Sequence, residues 1–228
     1  MTAEDYKEGQ VILIDKPLEW TSFQVVNKVR WLLRKQFQLQ KLKVGHAGTL
    51  DPLATGLLIL CTGKFTKKIE QFQAQEKEYT GIITLGATTP SYDLETEINQ
   101  TFDISNITEE QIFEATSLFL GEIEQQPPVF SALKKEGKRL YEFARAGEAI
   151  EVPKRKITIF TFEITKIDLP QVSFRIVCSK GTYIRSIAHD FGKSLNNGGH
   201  LSALRRTKIG EFSIEKAVTL EEFQSHFL

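Results

Sequence analysis

The residues best suited to chemistry lie in one stretch, residues 45–56, which reads Gly-His-Ala-Gly-Thr-Leu-Asp-Pro-Leu-Ala-Thr-Gly. Its glycines permit tight turns and close approach of a ligand to the backbone. Asp51 precedes a proline, which favours an extended backbone, so its carboxylate can be held rigidly at the edge of a cleft. An aspartate in such a loop is also a common turn residue that accepts backbone hydrogen bonds. His46, taken alone, is more typical of a structural residue than of a catalyst.

A second stretch, residues 178–185, runs from an apolar strand through a glycine turn into a helix. Tyr183 and Arg185 fall in the first turn of that helix, where Arg185 could pair with a carboxylate from elsewhere in the chain. The alternative is a surface ion pair, which contributes little. Tyr79 lies in a strand that has Gly81, Ile83 and Leu85 on the same face, an arrangement typical of ordinary packing. Residue types and spacing alone therefore identify no reaction.

Composition limits the classes of protein to consider. The chain has 228 residues, of which 41% are hydrophobic and 25% are charged, so it can bury a substantial core and is not predicted to be disordered. Its longest apolar run, residues 57–61, is too short to span a membrane, and the polar N-terminus has no signal peptide. Two cysteines exclude a disulfide framework or zinc ribbon and predict a reducing, cytoplasmic location. No histidine or cysteine stands at metal-ligand spacing, so no metal site is expected.

The charges of the chain are segregated, although its 29 basic and 29 acidic residues cancel. Residues 25–50 contain six basic residues and no acidic one, whereas residues 81–129 contain acidic residues and no lysine or arginine. Basic residues return at 134–156 and at 205–208. Local patches can attract a polyanion even when net charge is zero. This distribution fits RNA as a partner as well as it fits ordinary solvated helix faces.

Three capping boxes predict helices beginning after Thr21, Thr108 and Thr219, the second of them ending at Gly121. Further patterns predict helices at 66–73, 139–146 (ended by Gly147) and 184–195, strands at 10–15, 56–62, 77–85, 154–166 and 171–179, and short strands within 201–214. Residues 36–56 are predicted to be a long loop. Because strands and helices do not alternate regularly, an α+β fold with many antiparallel neighbours is favoured over a doubly wound one.

Six motifs of the chain, in the same order, resemble those of the TruB-type tRNA pseudouridine synthases, which isomerise the T-loop uridine of tRNA. The resemblance extends along almost the whole chain. The motifs are Asp15-Lys16-Pro17 with Thr21-Ser22, residues 45–56, Glu78-Tyr79, residues 131–134 with 137–142, residues 178–185, and Leu204-Arg205-Arg206.

The resemblance implies a role for each matching residue. Asp51 would be the nucleophile, Tyr79 would stack on the flipped uracil, and Arg185 would pair with Asp51. Substrate-binding positions would be His46, Tyr183, Leu204 and Lys16. The implied fold is an extended mixed, mostly antiparallel sheet flanked by helices, with a central catalytic cleft.

The implied reaction explains the need for these groups. The uridine must leave its stack, which costs a few kcal/mol, and an aromatic ring offers the extruded base a surface to stack on. A carboxylate nucleophile then serves to break and remake the bond between base and sugar, at C1′, at C6 or through a glycal, and no metal or cofactor is required. An adjacent arginine would keep Asp51 ionised.

The resemblance further implies one catalytic domain over residues 1–228 without a C-terminal PUA domain. It would act in the cytoplasm as a monomer on the T-arm of tRNA, with no protein partner. Trp20 and residues 88–92 depart from the family pattern, although Asp93 matches it. The alternative is a non-catalytic tRNA-binding or RNA-folding protein, which would not need Asp51, Tyr79 and Arg185 together. A retaining glycosidase would need a second carboxylate beside Asp51, and residues 45–56 contain no other acidic residue.

Overall fold

The computed structural model describes residues 1–131, 133–135, 137–146, 148 and 150–226. The α-helices in these ranges are α1 (Ala3–Glu8), α2 (Ser22–Gln36), α3 (Ile69–Ala74), α4 (Glu109–Thr116), α5 (Leu140–Arg145), α6 (Ile184–Ser194) and α7 (Leu220–Ser225). The strands are β1 (Val11–Lys16), β2 (Val44–His46), β3 (Ala54–Thr62), β4 (Lys77–Leu85), β5 (Ala87–Thr88), β6 (Gln100–Thr101), β7 (Gly121–Gln125), β8 (Lys134–Lys135), β9 (Lys138–Arg139), β10 (Arg155–Asp168), β11 (Gln171–Cys178), β12 (Gly199–Ile209) and β13 (Phe212–Ser213).

Residues 1–79, together with the described residues from 204 onward, form the first of two compact units. Strand β3 is its centre: β1 pairs with it antiparallel, β2 pairs antiparallel with its C-terminal end, and β12 pairs parallel with its N-terminal end. Almost every residue of β3 is buried, because apolar side chains cover both of its faces. This unit therefore presents the start of β3, which follows the predicted nucleophile Asp51, on a rigid base.

Helix α2 covers one face of the sheet in this first unit. It begins with the predicted capping box, in which the Thr21 hydroxyl accepts from the Gln24 N–H and the Gln24 side chain accepts from the Thr21 N–H. Its apolar stripe is buried together with residues of β1, β3 and α7. That stripe consists of Val25, Val26, Val29, Leu32 and Leu33. The opposite face of α2 is left to the solvent.

The described residues between 80 and 203 form the second compact unit. Its sheet has the order β4-β11-β10-β7, with β10 antiparallel to both β11 and β7. Phe162 of β10 packs edge-on against Phe119 and Phe174 and in a tilted arrangement against Phe191 of α6, with ring centroids 5.4–6.2 Å apart. These aromatic contacts fix the position of α6, whose first turn carries Arg185.

Most predicted elements are confirmed, including all three capping boxes, and so is the α+β fold with a mixed sheet. Two predictions of local structure are wrong. The predicted loop 36–56 contains β2, and the predicted short strands within 201–214 begin with one long strand, β12. The helix predicted to end at Gly121 consists of α4 and a 3-10 helix, Ser117–Phe119, and Gly121 follows it with a φ of 84°. The predicted helix at 66–73 is divided into a 3-10 helix, Gly63–Lys68, and α3. Gly147, the predicted helix terminator, and Ala132 of the fourth motif lie outside the described residues.

Two broader expectations concern the chain as a whole. That residues 1–228 constitute one catalytic domain stays a prediction. Within the described ranges, no helix combines the length and the apolar character that a membrane crossing would require.

Candidate active site

Asp51 lies in the tight connection between β2 and β3. The connection begins where the Ala47 N–H donates to the Ile59 carbonyl at 2.8 Å, and it ends in a turn where the Ala54 N–H donates to the Asp51 carbonyl at 3.1 Å. Gly48 has a φ of 109°, a backbone conformation that side chains other than glycine rarely adopt. Asp51 itself is half-buried. The sequence thus folds into a short, hydrogen-bonded loop that presents one carboxylate.

Three buried polar side chains from three elements hold this loop, and we call them the loop anchors: Ser22, Lys16 and Arg206. Ser22, in the first turn of α2, contacts the residue before Asp51. Its hydroxyl accepts from the Leu50 N–H at 2.8 Å and donates to the Leu50 carbonyl at 3.0 Å. Because a buried N–H and carbonyl are costly to leave unpaired, this double contact fixes the backbone beside the carboxylate.

Lys16, at the end of β1, holds the residue after Asp51. Its side chain is fully buried, and its ammonium group donates to the carbonyls of Trp20 at 2.6 Å, Pro17 at 2.8 Å and Pro52 at 3.3 Å. Burial lowers the pKa of Lys16 from 10.5 to about 8, an effect opposed chiefly by the negative charge of Asp51. Lys16 was predicted to bind substrate. The geometry instead supports a positioning role, since all three donors are used within the protein.

Arg206, in β12, holds the loop three residues before Asp51. It is buried, with its Nη2 donating to the Gly48 carbonyl at 3.0 Å and its Nε to the Leu57 carbonyl at 2.8 Å. Its backbone approaches β3 so closely that a Cβ on Gly56 would lie 2.4 Å from the Arg206 carbonyl oxygen. Gly56 also has a φ of 104°, so only glycine suits both the close approach and the backbone conformation.

Arg205 faces the other side of β12 and pairs with Asp15. Its two terminal nitrogens lie 3.1 and 2.6 Å from the two carboxylate oxygens, a bidentate arrangement. Arg205 and Arg206 both belong to the basic segments that the sequence predicts as a surface for RNA. That expectation is wrong for Arg206, which is 1% exposed, and weak for Arg205, whose charge is already neutralised.

The remaining predicted residues of the first unit, His46, Leu204 and Tyr79, lie in β2, β12 and β4. His46 lies in β2, and burial together with the charge of Arg206 lowers its pKa, so the imidazole is neutral at pH 7. Leu204 lies beside Ala54 in the parallel pairing of β12 and β3, and it is half-buried. Tyr79 is 8% exposed in β4 and points to the same buried face as Ile83 and Leu85, as predicted.

Arg185 is the second residue of α6, in the other unit, and it is held by several groups of that unit. Its guanidinium lies 3.5 Å from the Asp93 carboxylate and donates to the carbonyls of Ser91 at 3.2 Å and Phe130 at 2.9 Å. Both charged side chains are more than nine-tenths buried. Asp93 therefore positions Arg185, and the expected ion pair of Arg185 with Asp51 stays a prediction.

Tyr183 is the N-cap residue of α6 rather than a residue of its first turn. Its N–H donates to the Gln125 side chain at 2.8 Å, and its carbonyl accepts from the same amide at 3.0 Å. The Arg155 guanidinium lies over its ring, 4.5 Å from the centroid. This cation–π contact holds a half-buried phenol at the start of the helix.

The structure explains several motifs whose purpose the sequence did not reveal. Ser22 and Arg206 belong to strings that matched the family, and both reach the Asp51 loop although they lie far from it in sequence. Asp93 also matched and proves to hold Arg185. Gln125 and Arg155 carried no signal, because an amide or a guanidinium on a strand predicts no particular partner.

This arrangement suits nucleophilic chemistry by a fixed carboxylate. Two buried cations, those of Lys16 and Arg206, belong to the anchors of the Asp51 loop and favour the ionised form of a carboxylate close to them. Among the described residues, no group of three or more histidine, cysteine, aspartate or glutamate side chains could hold a metal ion.

Comparison with solved structures shows which fold this is. The chain superimposes on a crystal structure titled as a Cbf5–Nop10–Gar1 complex, with TM-score 0.72 and 29% identity over the whole chain. It also superimposes on a structure titled as an H/ACA RNP bound to a substrate RNA, with TM-score 0.70 and 28% identity over 97% of this chain. It spans 57% and 54% of those longer chains. The predicted pseudouridine synthase fold is confirmed.

Comparison of sequences shows the family. A tRNA pseudouridine synthase B of Flavobacterium johnsoniae is 63% identical over 98% of both chains, and one of Phocaeicola vulgatus is 52% identical over 96% of this chain and 93% of its own. Residues 34–184 match the N-terminal domain model of the TruB family pseudouridylate synthases, and residues 185–228 match the C-terminal domain model of tRNA pseudouridylate synthase B. The chain therefore belongs to the TruB family of pseudouridylate synthases.

Proposed function

We propose that this protein is a tRNA pseudouridine synthase that isomerises the T-loop uridine, position 55 of tRNA, with Asp51 as its nucleophile. Relatives of nearly the same length carry the name tRNA pseudouridine synthase B. The observation that carries the proposal is the set of loop anchors, which hydrogen-bond to Gly48, Leu50 and Pro52 on both sides of Asp51. A protein that only binds RNA would have no need to immobilise one carboxylate in this way.

In the proposed reaction the uridine leaves its stack and enters the site, where Tyr79 stacks on the uracil. In the covalent routes Asp51 attacks C1′ or C6 and forms a bond to it, and the bond between N1 and C1′ breaks while the base is retained. The base rotates and C5 bonds to C1′, the bond to Asp51 breaks and restores the free carboxylate, C5 loses its proton and N1 gains one. The product is an isomer of the substrate, so neither an oxidant nor an external group is consumed.

The other residues have supporting roles in this proposal. Lys16 and Arg206 place positive charge and hydrogen bonds beneath the Asp51 loop, which presents the carboxylate in its ionised form. Arg185 pairs with Asp51 in the substrate complex, while Asp93 keeps the guanidinium in place. His46, Leu204 and Tyr183 contact the RNA or line the uridine pocket.

The proposal extends to the setting of the reaction. The protein acts on the T-arm as a monomer and in the cytoplasm; the chain has only two cysteines, Cys61 and Cys178, both buried, and so few cysteines are typical of a reducing compartment. The non-catalytic alternative is not favoured, because Asp51, Tyr79 and Arg185 are all present in a chain that is 63% identical to a tRNA pseudouridine synthase B.

The test is tritium release from C5-labelled uridine in an unmodified tRNA transcript, measured for the wild-type protein and for Asp51→Asn. We expect the variant to lose at least about a thousandfold in rate, as removal of a nucleophile does in other enzymes. Its affinity for tRNA should stay within about threefold, because one carboxylate adds little to phosphate binding. Asp168→Asn, at the exposed end of β10, is the matched control and should be fully active. Undiminished tritium release by Asp51→Asn would reject Asp51 as the nucleophile.

A further inference from the structure

Helix α2 exposes two aromatic side chains on its solvent face. Phe23 is 62% exposed and Trp31 is 52% exposed, although the burial of either ring would be favourable. They stand eight residues apart with Asn27 midway, so all three lie on one face, and the two rings are about 12 Å apart along the axis. Phe23 follows Ser22, which is bonded to Leu50 beside Asp51. The aromatic face thus starts at the catalytic loop and leads away from it.

Positive charge surrounds the second of these rings. The ammonium groups of Lys28 and Lys35 lie 5.3 and 5.1 Å from the centroid of the Trp31 ring, on the preceding and following turns. The ring also lines a groove of about 610 Å³ with Arg30 and Arg34. No aspartate or glutamate occurs between residues 20 and 75 except Asp51 and Glu70. The surface therefore combines a flat aromatic ring with four nearby cations, those of Lys28, Arg30, Arg34 and Lys35.

The groove continues into a second, more strongly basic one. Arg30 and Arg34 line both, and the second groove, of about 590 Å³, adds five lysines from α1, the 40–43 segment and the 63–68 helix. These are Lys7, Lys41, Lys43, Lys64 and Lys67, of which Lys7 pairs with Glu4 and Lys64 with Glu8. Among the described residues, none of those lining either groove is acidic. Lysines and arginines in a continuous groove match the spacing and charge of a nucleic-acid backbone.

We propose that the solvent face of α2 binds an unpaired nucleobase of the RNA substrate, which stacks on Trp31 while Lys28, Arg30, Arg34 and Lys35 neutralise the adjoining phosphates. This inference rests on the proposed function, in which RNA is the substrate. Trp31 lies nine residues, about 13 Å along the axis, beyond Ser22. The base bound there is consequently a different nucleotide from the one that Asp51 isomerises. Exposed aromatic rings interleaved with cations bind single-stranded or looped RNA by stacking, with little dependence on base identity.

Affinity for an unmodified tRNA transcript is the first measurement, made in the Asp51→Asn background so that no turnover occurs. Loss of a stacking ring in Trp31→Ala should raise the Kd about 5- to 150-fold. Trp31→Phe, which retains a ring, should recover most of the affinity. Phe113→Ala removes an equally exposed ring from the acidic segment, and it should leave the Kd unchanged. Circular dichroism confirms that each variant is folded.

Fluorescence gives a direct readout of stacking. Trp20 and Trp31 are the two tryptophans of the chain, so Trp20→Phe leaves Trp31 as the single reporter. The Lys16 contact to residue 20 uses its backbone carbonyl, which this change retains. We expect tRNA or a single-stranded oligonucleotide to quench the emission of Trp31, and we expect a blunt RNA duplex, which has no unpaired base, to quench it far less.

The outcomes separate this inference from the proposed function. If the wild-type protein releases tritium but Trp31→Ala binds tRNA normally and Trp31 is not quenched, the α2 surface does not bind RNA and only this inference fails. If the wild-type protein releases no tritium but Trp31→Ala weakens binding, the surface binds RNA and the proposed function fails. A surface that binds another protein would give normal RNA affinity in all the α2 variants, which contradicts the inference.

Discussion

The buried ammonium group of Lys16 makes the stability of the protein depend on pH. Its pKa in the folded state is about 8, below the 10.5 of the unfolded chain, because burial disfavours its charged form. Between these values the unfolded chain binds more protons than the folded protein, so stability rises with pH there. We expect the free energy of unfolding of the wild type, relative to Lys16→Met, to rise by about 2–3 kcal/mol from pH 8 to 10.5.

Urea denaturation at several pH values measures this difference. Lys180→Met, at an exposed position, serves as the control. The difference between its free energy of unfolding and that of the wild type should not change over the same range of pH. Taking differences removes the titration of other groups. If the Lys16 difference were also flat, the ammonium group would be hydrated rather than buried beneath the Asp51 loop.

In the proposed reaction Arg206 would link folding to catalysis, because it binds the Gly48 carbonyl of the Asp51 loop. Arg206→Met leaves the buried Gly48 and Leu57 carbonyls without their donors, which should destabilise the fold by about 2–4 kcal/mol. Because the loop that carries Asp51 is loosened, we expect kcat for tRNA to fall at least tenfold while the Kd changes less than about twofold. Arg206→Lys, which keeps one donor, should recover part of kcat.

The comparison variant is Lys208→Met, because Lys208 lies two residues further along β12 and has an exposed side chain. We expect this variant to keep the kcat and the Kd of the wild type. The kcat is measured at a temperature where Arg206→Met is folded. If this variant is less stable but keeps its kcat, Arg206 supports the fold but does not position Asp51.

At the scale of elements, the parallel contact between β3 and β12 depends on Gly56. Alanine there would have the unfavourable φ of 104° and would also bring its Cβ within 2.4 Å of the Arg206 carbonyl. Gly121 has a similar φ of 84°, but a methyl group added to it would meet nothing within 4 Å, so Gly121→Ala isolates the conformational cost, about 1–2 kcal/mol. We expect Gly56→Ala to destabilise the protein by at least about 2 kcal/mol more than Gly121→Ala, measured by urea denaturation. If both variants lost the same free energy of unfolding, β3 and β12 would be able to move apart around the added methyl group without a cost in stability.

The sequence predicts elements well where one local rule decides them. The capping boxes at Thr21, Thr108 and Thr219 start helices as predicted, because the side chain and the backbone that it caps are only three residues apart. Periodicity likewise locates β10 and β11, which have the alternating pattern of half-buried strands.

Elements that depend on distant partners are harder to predict. Strand β2 has only three residues, two of them Gly45 and His46, and it exists because β3 offers a free edge at residues 60–62. The sequence predicts β12 only as short pieces. Different parts of this strand pair with β3, β4 and β13, so its buried residues do not follow a single alternating pattern. The loop anchors show the same limit. Arg206 reads as a surface cation in sequence, and only the parallel pairing with β3 turns it towards Gly48.

At the scale of the whole molecule, a net charge of zero conceals an uneven distribution that matters for binding. The basic grooves belong to residues 7–67, whereas residues 81–129 have acidic side chains and no lysine or arginine. When RNA binds, counterions leave the phosphates that the protein's cations contact. The affinity therefore depends on these local cations and not on the net charge of the protein. The dependence of tRNA affinity on salt therefore distinguishes a local basic surface from a general charge effect.

Two double variants of equal net charge make this comparison. Lys41→Gln with Lys43→Gln removes two exposed lysines at the second groove, and Lys166→Gln with Lys180→Gln removes two exposed lysines of the other unit. We expect the first pair to reduce the slope of log Kd against log salt concentration by about 1.4–1.8, or 0.7–0.9 for each lost phosphate contact, and the second pair to leave it unchanged. Equal reductions would mean that tRNA senses only the total charge, and they would contradict a basic groove as its binding surface.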